Sequence, residues 1–371
     1  MKILHLVTTL DVGGAEMHLL AQVRGQTQRG HQIRVLYLKG KGTLAPDLRA
    51  AGAGYVGRAG FAGIFRSARW ADLVHTHLLK ADAAGALVAT LAGRRRGLVA
   101  SKHNDEQVLK RPLVSIAHGL LGRLPRRTIV LSDHVGRFVT QYGRLRPNRI
   151  RRIYYGLDPA PFEQAARMPR EERDALRASF GFRPEHCVFV CVARFAPQKA
   201  HDVLLRALAQ VGDDSVRLLL VGDDPFGDGR RKAEAVAREL ALGDRAVFAG
   251  IRRDVPQLLA ASEVFVMPSL WEGLGLVFLE AMATGLPVVS TRVSAVPEVV
   301  VEGETGLLVP PSDADALAAA MRSLARDADL RARLGRAGRA CVRARFGLDR
   351  MVDETLAVYA EVASGRPPAR S

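Results

Sequence analysis

Two carboxylates, Glu272 and Glu280, stand eight residues apart in PSLWEGLGLVFLEAMATGLPVV, residues 268–289, on either side of a glycine-containing turn. The spacing predicts a helix that opens at the turn with Glu272 at its mouth and Glu280 two turns further in. Peptide N–H groups at Gly273, Leu274, Gly275 and Leu276 then have no helical carbonyl to bond, and with the helix dipole they form a site for a phosphate anion. On a continuous helix Glu280 lies roughly 12 Å along the axis from Glu272. A carboxylate there accepts two hydroxyl hydrogen bonds at once and so suits a ribose diol while the turn holds phosphates. The plainer alternative is a solvated acidic helix start, because Glu near an N-terminus is favourable in itself.

A second cluster favours the phosphate reading. In HCVFVCVARFAPQKA, residues 186–200, an apolar strand runs up to Arg194, and a turn with Pro197 brings Lys199 in front of the helical DVLLRALAQV. In an open α/β sheet, ligands bind outside the carboxyl ends of the strands, where both cations fall. Two cations there neutralise a departing diphosphate electrostatically, with no metal required. A lone pair of cations is usually surface charge. Arg194 and Lys199 followed about seventy residues later by the two glutamates is a more specific constellation.

These residues, with the trailing GLPVVSTRVSAVPEVVVEGETGLLVPPSD, resemble the retaining nucleotide-sugar glycosyltransferases of the GT-B fold, family 4; the likeness runs from Lys2 to about Phe346. The resemblance implies two Rossmann-like domains with substrates meeting in a cleft between them. It also implies a UDP- or GDP-linked sugar donor, a glycan or lipid-linked acceptor, and no cofactor besides the donor. Retention at the anomeric carbon by front-face attack follows from it as well, the departing phosphate accepting the acceptor's proton. A double displacement needs a nucleophilic carboxylate on the opposite face, and Glu272 is the residue to test. In similar proteins a histidine placed like His103, in SKHNDE, hydrogen-bonds the donor sugar and its backbone carbonyl helps the oxocarbenium charge; here it is expected to point into the cleft. Gly14, in DVGGAE after the first strand, resembles the acceptor-side loop. Arg252 resembles a position near the nucleotide base, with Gly222 and Asp223 at a strand end on the same side. Tyr155 departs from the pattern, since relatives have Asn in the corresponding stretch. His75 and His77 end a strand and read as structural. Asp313-Ala-Asp315 is the nearest approach to a metal-holding Asp-x-Asp, but it follows Pro310-Pro311 and reads as a helix cap.

The 371 residues suggest about two domains, and 48% hydrophobic residues is ample for two cores. No apolar stretch reaches the roughly 18 residues of a membrane span, and MKILHLVTTLDVGG reads as a buried first strand rather than a secretory signal. A cytoplasmic location is expected. The three cysteines fit no disulfide framework or zinc spacing. Charge is unevenly placed: residues 1–165 hold 26 Lys and Arg against 10 Asp and Glu, whereas the remainder has 28 of each. The excess gathers in Arg94 to Arg96, in Arg123, Arg126 and Arg127, and between Arg144 and Arg152. Such a half is attracted to an anionic surface, at about 1 kcal/mol per cation near an acidic leaflet, which predicts peripheral membrane contact or binding of an acidic acceptor. Nucleic acid is a poor match, because aromatics make up only 6% and do not interleave with the basic residues. An epimerase of the same fold, a non-catalytic sugar-nucleotide-binding subunit and a basic membrane adaptor remain as other readings.

Apolar runs alternate with helical patterns throughout, which predicts two mainly parallel doubly wound sheets. Expected strands lie at 3–7, 33–38, 73–77, 98–101, 128–131 and 150–154, then 188–192, 217–221, 246–248, 264–267, 288–290 and 306–309. The linker is expected between Asp158 and Met168. This gives an N-terminal acceptor domain over 1–165 and a donor domain over 169–346. A terminal helix over 348–365 returns to the first domain, and the closing GRPPARS reads as disordered.

Overall fold

A computed structural model describes residues 1–11, 13–224 and 227–364, and the chain divides into two units at Gly156 and Leu157, with the segment from Leu348 belonging to the first. The first unit holds β1 (Lys2–Val7), β2 (Gln32–Tyr37), β3 (Tyr55–Arg58), β4 (Leu73–His77), β5 (Leu98–Lys102), β6 (Arg127–Val130) and β7 (Ile150–Arg152), all parallel, in the order β3-β2-β1-β4-β5-β6-β7. Helices cross over between successive strands, so both faces are covered and the central strands read as continuous apolar runs. Alternate residues of β1 serve the two faces: Ile3 and Val7 join one buried cluster, Leu4 and Leu6 the other. The Leu348–Ser364 helix belongs to the first of those clusters through Met351, Val352, Val358, Tyr359 and Val362. It lies close against the Gly14–Gln28 helix, where a Cβ on Gly25 would come within 2.5 Å of Val352 Cγ2. Arg29 pairs with Asp349 at 3.0 Å and Asp353 at 2.8 Å, and Arg127 with Glu361, which fixes the helix along its length.

The second unit holds β8 (Cys187–Val192), β9 (Val216–Val221), β10 (Ala246–Gly250), β11 (Val264–Met267), β12 (Val288–Thr291) and β13 (Gly306–Val309), again all parallel, in the order β10-β9-β8-β11-β12-β13. The strand order reverses between β8 and β11 here, and between β1 and β4 in the first sheet. These are the switch points at which open α/β sheets leave a crevice beyond their carboxyl ends.

Sequence and structure differ in two places. β3 escapes the sequence because Tyr55-Val56-Gly57-Arg58 is a short edge strand inside a glycine-rich stretch. The division precedes the stretch expected to be a linker: Ala160–Ala165 is helical, Phe162 and Ala165 are buried, and Leu157 N–H bonds the Phe346 carbonyl, all within the second unit. The terminal helix, Leu348–Ser364, belongs to the first unit, while Gly365 and the rest of GRPPARS lie outside the described residues.

Candidate active site

In the second unit, the residues singled out by spacing follow four neighbouring strands at one end of the sheet. Arg194 comes two residues after β8, Gly222 directly after β9, Arg252 two residues after β10, and the 268–275 turn after β11. The β8–β11 switch point therefore has Arg194 and Lys199 on one side and the glycine-containing turn on the other. Pro197–Lys199 forms a single 3₁₀ turn, and Ala200 takes the left-handed conformation at φ 47° before the His201–Gln210 helix begins. That tight corner turns the Lys199 ammonium toward the loop beyond β11, where Gln198 Nε2 donates to the Trp271 carbonyl at 2.6 Å and Leu270 N–H to the Gln198 carbonyl at 2.8 Å.

Glu272 is buried in that loop, 5% exposed. Its Oε1 accepts from Lys199 Nζ and, at 2.7 Å, from Ser269 Oγ. Ser269 is itself held by Thr291 Oγ1, which donates to its carbonyl. Glu272 is thus turned inward as the counter-ion of Lys199, and the helix proper starts later, at Leu276. Gly275 imposes the break: it sits at φ 82°, a conformation that costs an L side chain, and a Cβ there would meet the Phe278 ring at 2.5 Å. The expected run of Glu272 and Glu280 along one helix axis is corrected accordingly; only Glu280 is helical.

At the helix mouth, Phe278 N–H reaches the Gly275 carbonyl at 3.0 Å, while Leu276 and Val277 N–H find no backbone carbonyl among the described residues. Glu280 lies one turn in, partly buried, and its carboxyl makes no hydrogen bond or ion pair among the described residues. Loss of water with no compensating partner pushes its pKa up to about 7. Arg194 is exposed, and its guanidinium is unpaired among the described residues. Arg252 is committed differently: it forms a two-pronged pair with Asp254, at 2.8 and 2.6 Å, and lies 5.5 Å from the Phe180 ring.

Gly222 has a packing reason. A Cβ on it would come within 1.9 Å of the Ala193 carbonyl oxygen, next to Arg194 N. Gly222→Ala should therefore force the ends of β8 and β9 apart and cost at least about 2 kcal/mol in denaturant unfolding; a loss below about 0.5 kcal/mol contradicts this packing. Asp313 caps the Ala314–Arg326 helix through Ala316 N–H at 2.8 Å, as its sequence context predicts.

In the first unit, Gly13 caps the Gly14–Gln28 helix, and a Cβ on Gly14 would meet open space. Val12 of the same loop lies outside the described residues. His103 is the residue expected to point into the cleft. Its ring is buried, 5% exposed, with Nε2 at 3.1 Å from His77 Nδ1 and Nδ1 at 3.1 Å from the Tyr155 hydroxyl. The neighbouring strand end supplies one partner, and the tyrosine that departs from the family pattern supplies the other. Burial, with the Lys102 charge beside it, lowers the His103 pKa to about 3, so the ring is neutral. His75 and His77 are buried and hydrogen-bonded, the structural role their sequence context suggests.

The two halves match separate family descriptions: "Glycosyltransferase Family 4" over residues 12–161 and "Glycosyl transferases group 1" over residues 186–327. A GDP-mannose-dependent alpha-(1-6)-phosphatidylinositol monomannoside mannosyltransferase of Mycolicibacterium smegmatis is 32% identical over 96% of each chain. The chain belongs to glycosyltransferase family 4. A D-inositol 3-phosphate glycosyltransferase of Streptomyces bingchenggensis is 30% identical, over 81% of this chain and 69% of that one. Among solved structures, Anabaena Alr3699/HepE in complex with UDP and glucose superposes with a TM-score of 0.87 at 25% identity, covering 97% of this chain and 99% of that one.

In this family 4 glycosyltransferase, spacing located Arg194, Lys199, Glu272, Gly275 and Glu280 at one sheet end, but it did not find Ser269 or Gln198, which fix the loop. It also left out Gln22, Gln26, His5, Thr355 and Tyr359, which surround the histidines. The available signal was polar residues at alternate positions of buried strands, His75 and His77 beside His5.

Proposed function

We propose that this glycosyltransferase moves a sugar, with retention and without a metal ion, from a UDP- or GDP-linked donor to a hydroxyl of a glycan or lipid-linked acceptor in bacterial polysaccharide or lipopolysaccharide assembly. The observation that carries the donor assignment is the Glu280 carboxyl, unpaired among the described residues, behind a helix mouth whose Leu276 and Val277 N–H groups find no backbone carbonyl among them, with Arg194 and Lys199 at the same switch point. The carboxyl takes the ribose hydroxyls, the N–H groups take the phosphates, and the cations stabilise negative charge as the glycosidic bond breaks. Charge at the departing phosphate is met by these groups without a divalent ion, and Asp313 is already used as a helix cap. Glu272, bonded to Lys199 and Ser269, is poorly placed to act as a nucleophile, which supports front-face attack over double displacement. With both ring nitrogens of His103 engaged, its backbone carbonyl is the group left to meet oxocarbenium charge.

The test is release of nucleoside diphosphate from UDP- and GDP-sugars, dependent on acceptor and measured with a chelator present. Release with the product anomer matching the donor supports the reading. Release of free epimerised sugar, or none with any donor, contradicts it.

Membrane contact has a specific support beyond the basic excess. The Pro112–Leu121 helix exposes Leu113, Ile116 and Leu120, at 83%, 44% and 57%, on one face between the exposed Arg111 and Arg123. An apolar stripe edged by cations is the pattern of a helix lying in a membrane interface. Arg127, counted with this cluster in the sequence, is instead buried against Glu361, and Arg152 pairs with Asp133 at 3.0 Å, so part of the excess is neutralised internally. No helix among the described residues is long and apolar enough to cross a membrane. Replacing Leu113, Ile116 and Leu120 together with Gln should weaken sedimentation with anionic vesicles roughly tenfold or more, at about 1 kcal/mol per buried side chain. Equal sedimentation of both forms would end the membrane argument.

A further inference from the structure

The histidines of the first unit belong to a continuous chain of hydrogen bonds whose direction can be deduced. His5 on β1, His77 on β4 and His103 just beyond β5 fall on the sheet face covered by the Gly14–Gln28 and Leu348–Ser364 helices, and all three are at most 5% exposed. At one end, Thr355 Oγ1 lies 2.8 Å from the Met351 carbonyl oxygen. A carbonyl only accepts, so the hydroxyl proton points there and the Thr355 oxygen must accept from Gln22 Nε2, 2.8 Å away. The Gln22 oxygen then accepts from Gln26 Nε2 at 3.0 Å, which leaves the Gln26 oxygen to accept from His5 Nε2–H at 2.9 Å.

Burial holds each ring neutral, with the pKa of His5 near 4, that of His103 near 3 and that of His77 well below the usual value. A neutral imidazole that donates from one nitrogen accepts at the other. His5 Nδ1 therefore accepts from His77 Nε2–H at 3.0 Å, His77 Nδ1 from His103 Nε2–H at 3.1 Å, and His103 Nδ1 from the Tyr155 hydroxyl at 3.1 Å. All seven bonds point toward the terminal helix. If the contact between Thr355 and Met351 is removed, a reverse set satisfies the remaining pairs: both amides flip, each ring takes its other tautomer, and the Tyr359 hydroxyl, which Gln26 Nε2 otherwise reaches at 3.4 Å, turns to donate to Gln26 while accepting from His75 Nδ1–H.

We infer that Thr355, on the terminal helix, is a positioning residue for His103: through Gln22, Gln26, His5 and His77 its hydroxyl fixes the tautomer and ring orientation of this histidine, and with the ring it fixes the setting of the backbone carbonyl proposed to meet the donor sugar. The functional part of this inference rests on the proposed placement of His103 at the donor; the direction of the chain does not. The same chain explains why a cluster with three histidines in metal-ligating proximity, His5, His75 and His77, is satisfied without an ion. His75 Nδ1 faces the Tyr359 hydroxyl at 2.5 Å and its Nε2 faces Ser101 Oγ at 2.7 Å, so every ring nitrogen of the three has a partner.

The test is nitrogen NMR of the full chain labelled with ¹⁵N-histidine, together with transfer kinetics. Wild type should show His5, His77 and His103 as Nε2–H tautomers. Thr355→Val, nearly isosteric, should give mixed tautomers at all three rings and lower kcat about three- to tenfold, the equivalent of part of one buried hydrogen bond, with donor KM within about twofold. Thr355→Ser, which keeps the hydroxyl, should restore both readouts and guards against simple misfolding. Wild-type tautomers persisting in Thr355→Val would overturn the inference. Shifted tautomers with unchanged kcat would overturn the positioning role, while absence of transfer in wild type would instead defeat the proposed function and leave the tautomer result standing.

Discussion

Lys199→Ala should lower turnover by two to three orders of magnitude, about 3 to 4 kcal/mol of transition-state stabilisation. The ammonium lies at the β8–β11 switch point, held by the left-handed corner at Ala200 and by Glu272. Its removal has a second consequence, because it leaves Glu272 as a buried carboxylate with Ser269 as its remaining side-chain partner among the described residues, and breaking one partner of such a pair costs about 3 to 5 kcal/mol of stability. Stability and catalysis are separated by combining Lys199→Ala with Glu272→Gln. The double variant should regain much of the melting temperature and none of the rate. A single variant within threefold of wild-type kcat, or a double variant that recovers turnover, removes Lys199 from the chemistry.

Glu280→Gln should weaken nucleotide binding about 10- to 100-fold by calorimetry above pH 7, the worth of hydrogen bonds to a charged acceptor, with a smaller effect on the rate at saturating donor. The pH dependence has a definite sign. The folded-state pKa is raised from 4.5 to about 7, so between those values the folded protein holds a proton that the unfolded chain has lost. Stability from this group is complete below about pH 4.5, falls as pH rises to about 7, and stays lower beyond it. The Gln variant lacks this titration and should be the more stable form above pH 7 while binding nucleotide worse. Wild-type affinity should rise through pH 7 as the carboxylate forms. Equal affinity of the two proteins, or a less stable Gln variant at pH 8, contradicts the assignment.

The sheet scaffold was legible because doubly covered parallel strands are runs such as VFVM and CVFVCV, whose apolar character shows whatever the partners. β3 was not, since at an edge a strand of four residues with Gly57 carries little of that pattern. The site divides in the same way. Arg194, Lys199 and Glu280 could be placed from strand ends and a helix pattern, both local properties. The inward turn of Glu272 depends on an ammonium 73 residues away, and the late helix start depends on one left-handed glycine. His103 shows the limit most clearly: its strand-end position is a local property, but the partners of its buried ring come from positions 77 and 155. Partners distant in sequence decide where a polar side chain points.

A crystal structure of the full chain with a bound nucleoside diphosphate sugar tests the central claim most directly. The account predicts the pyrophosphate against the N–H groups of Leu276 and Val277 within reach of Arg194 and Lys199, and the ribose hydroxyls on the Glu280 carboxylate. A donor bound at any other strand end, or a ribose turned away from Glu280 with Lys199 still engaged only by Glu272, would contradict it.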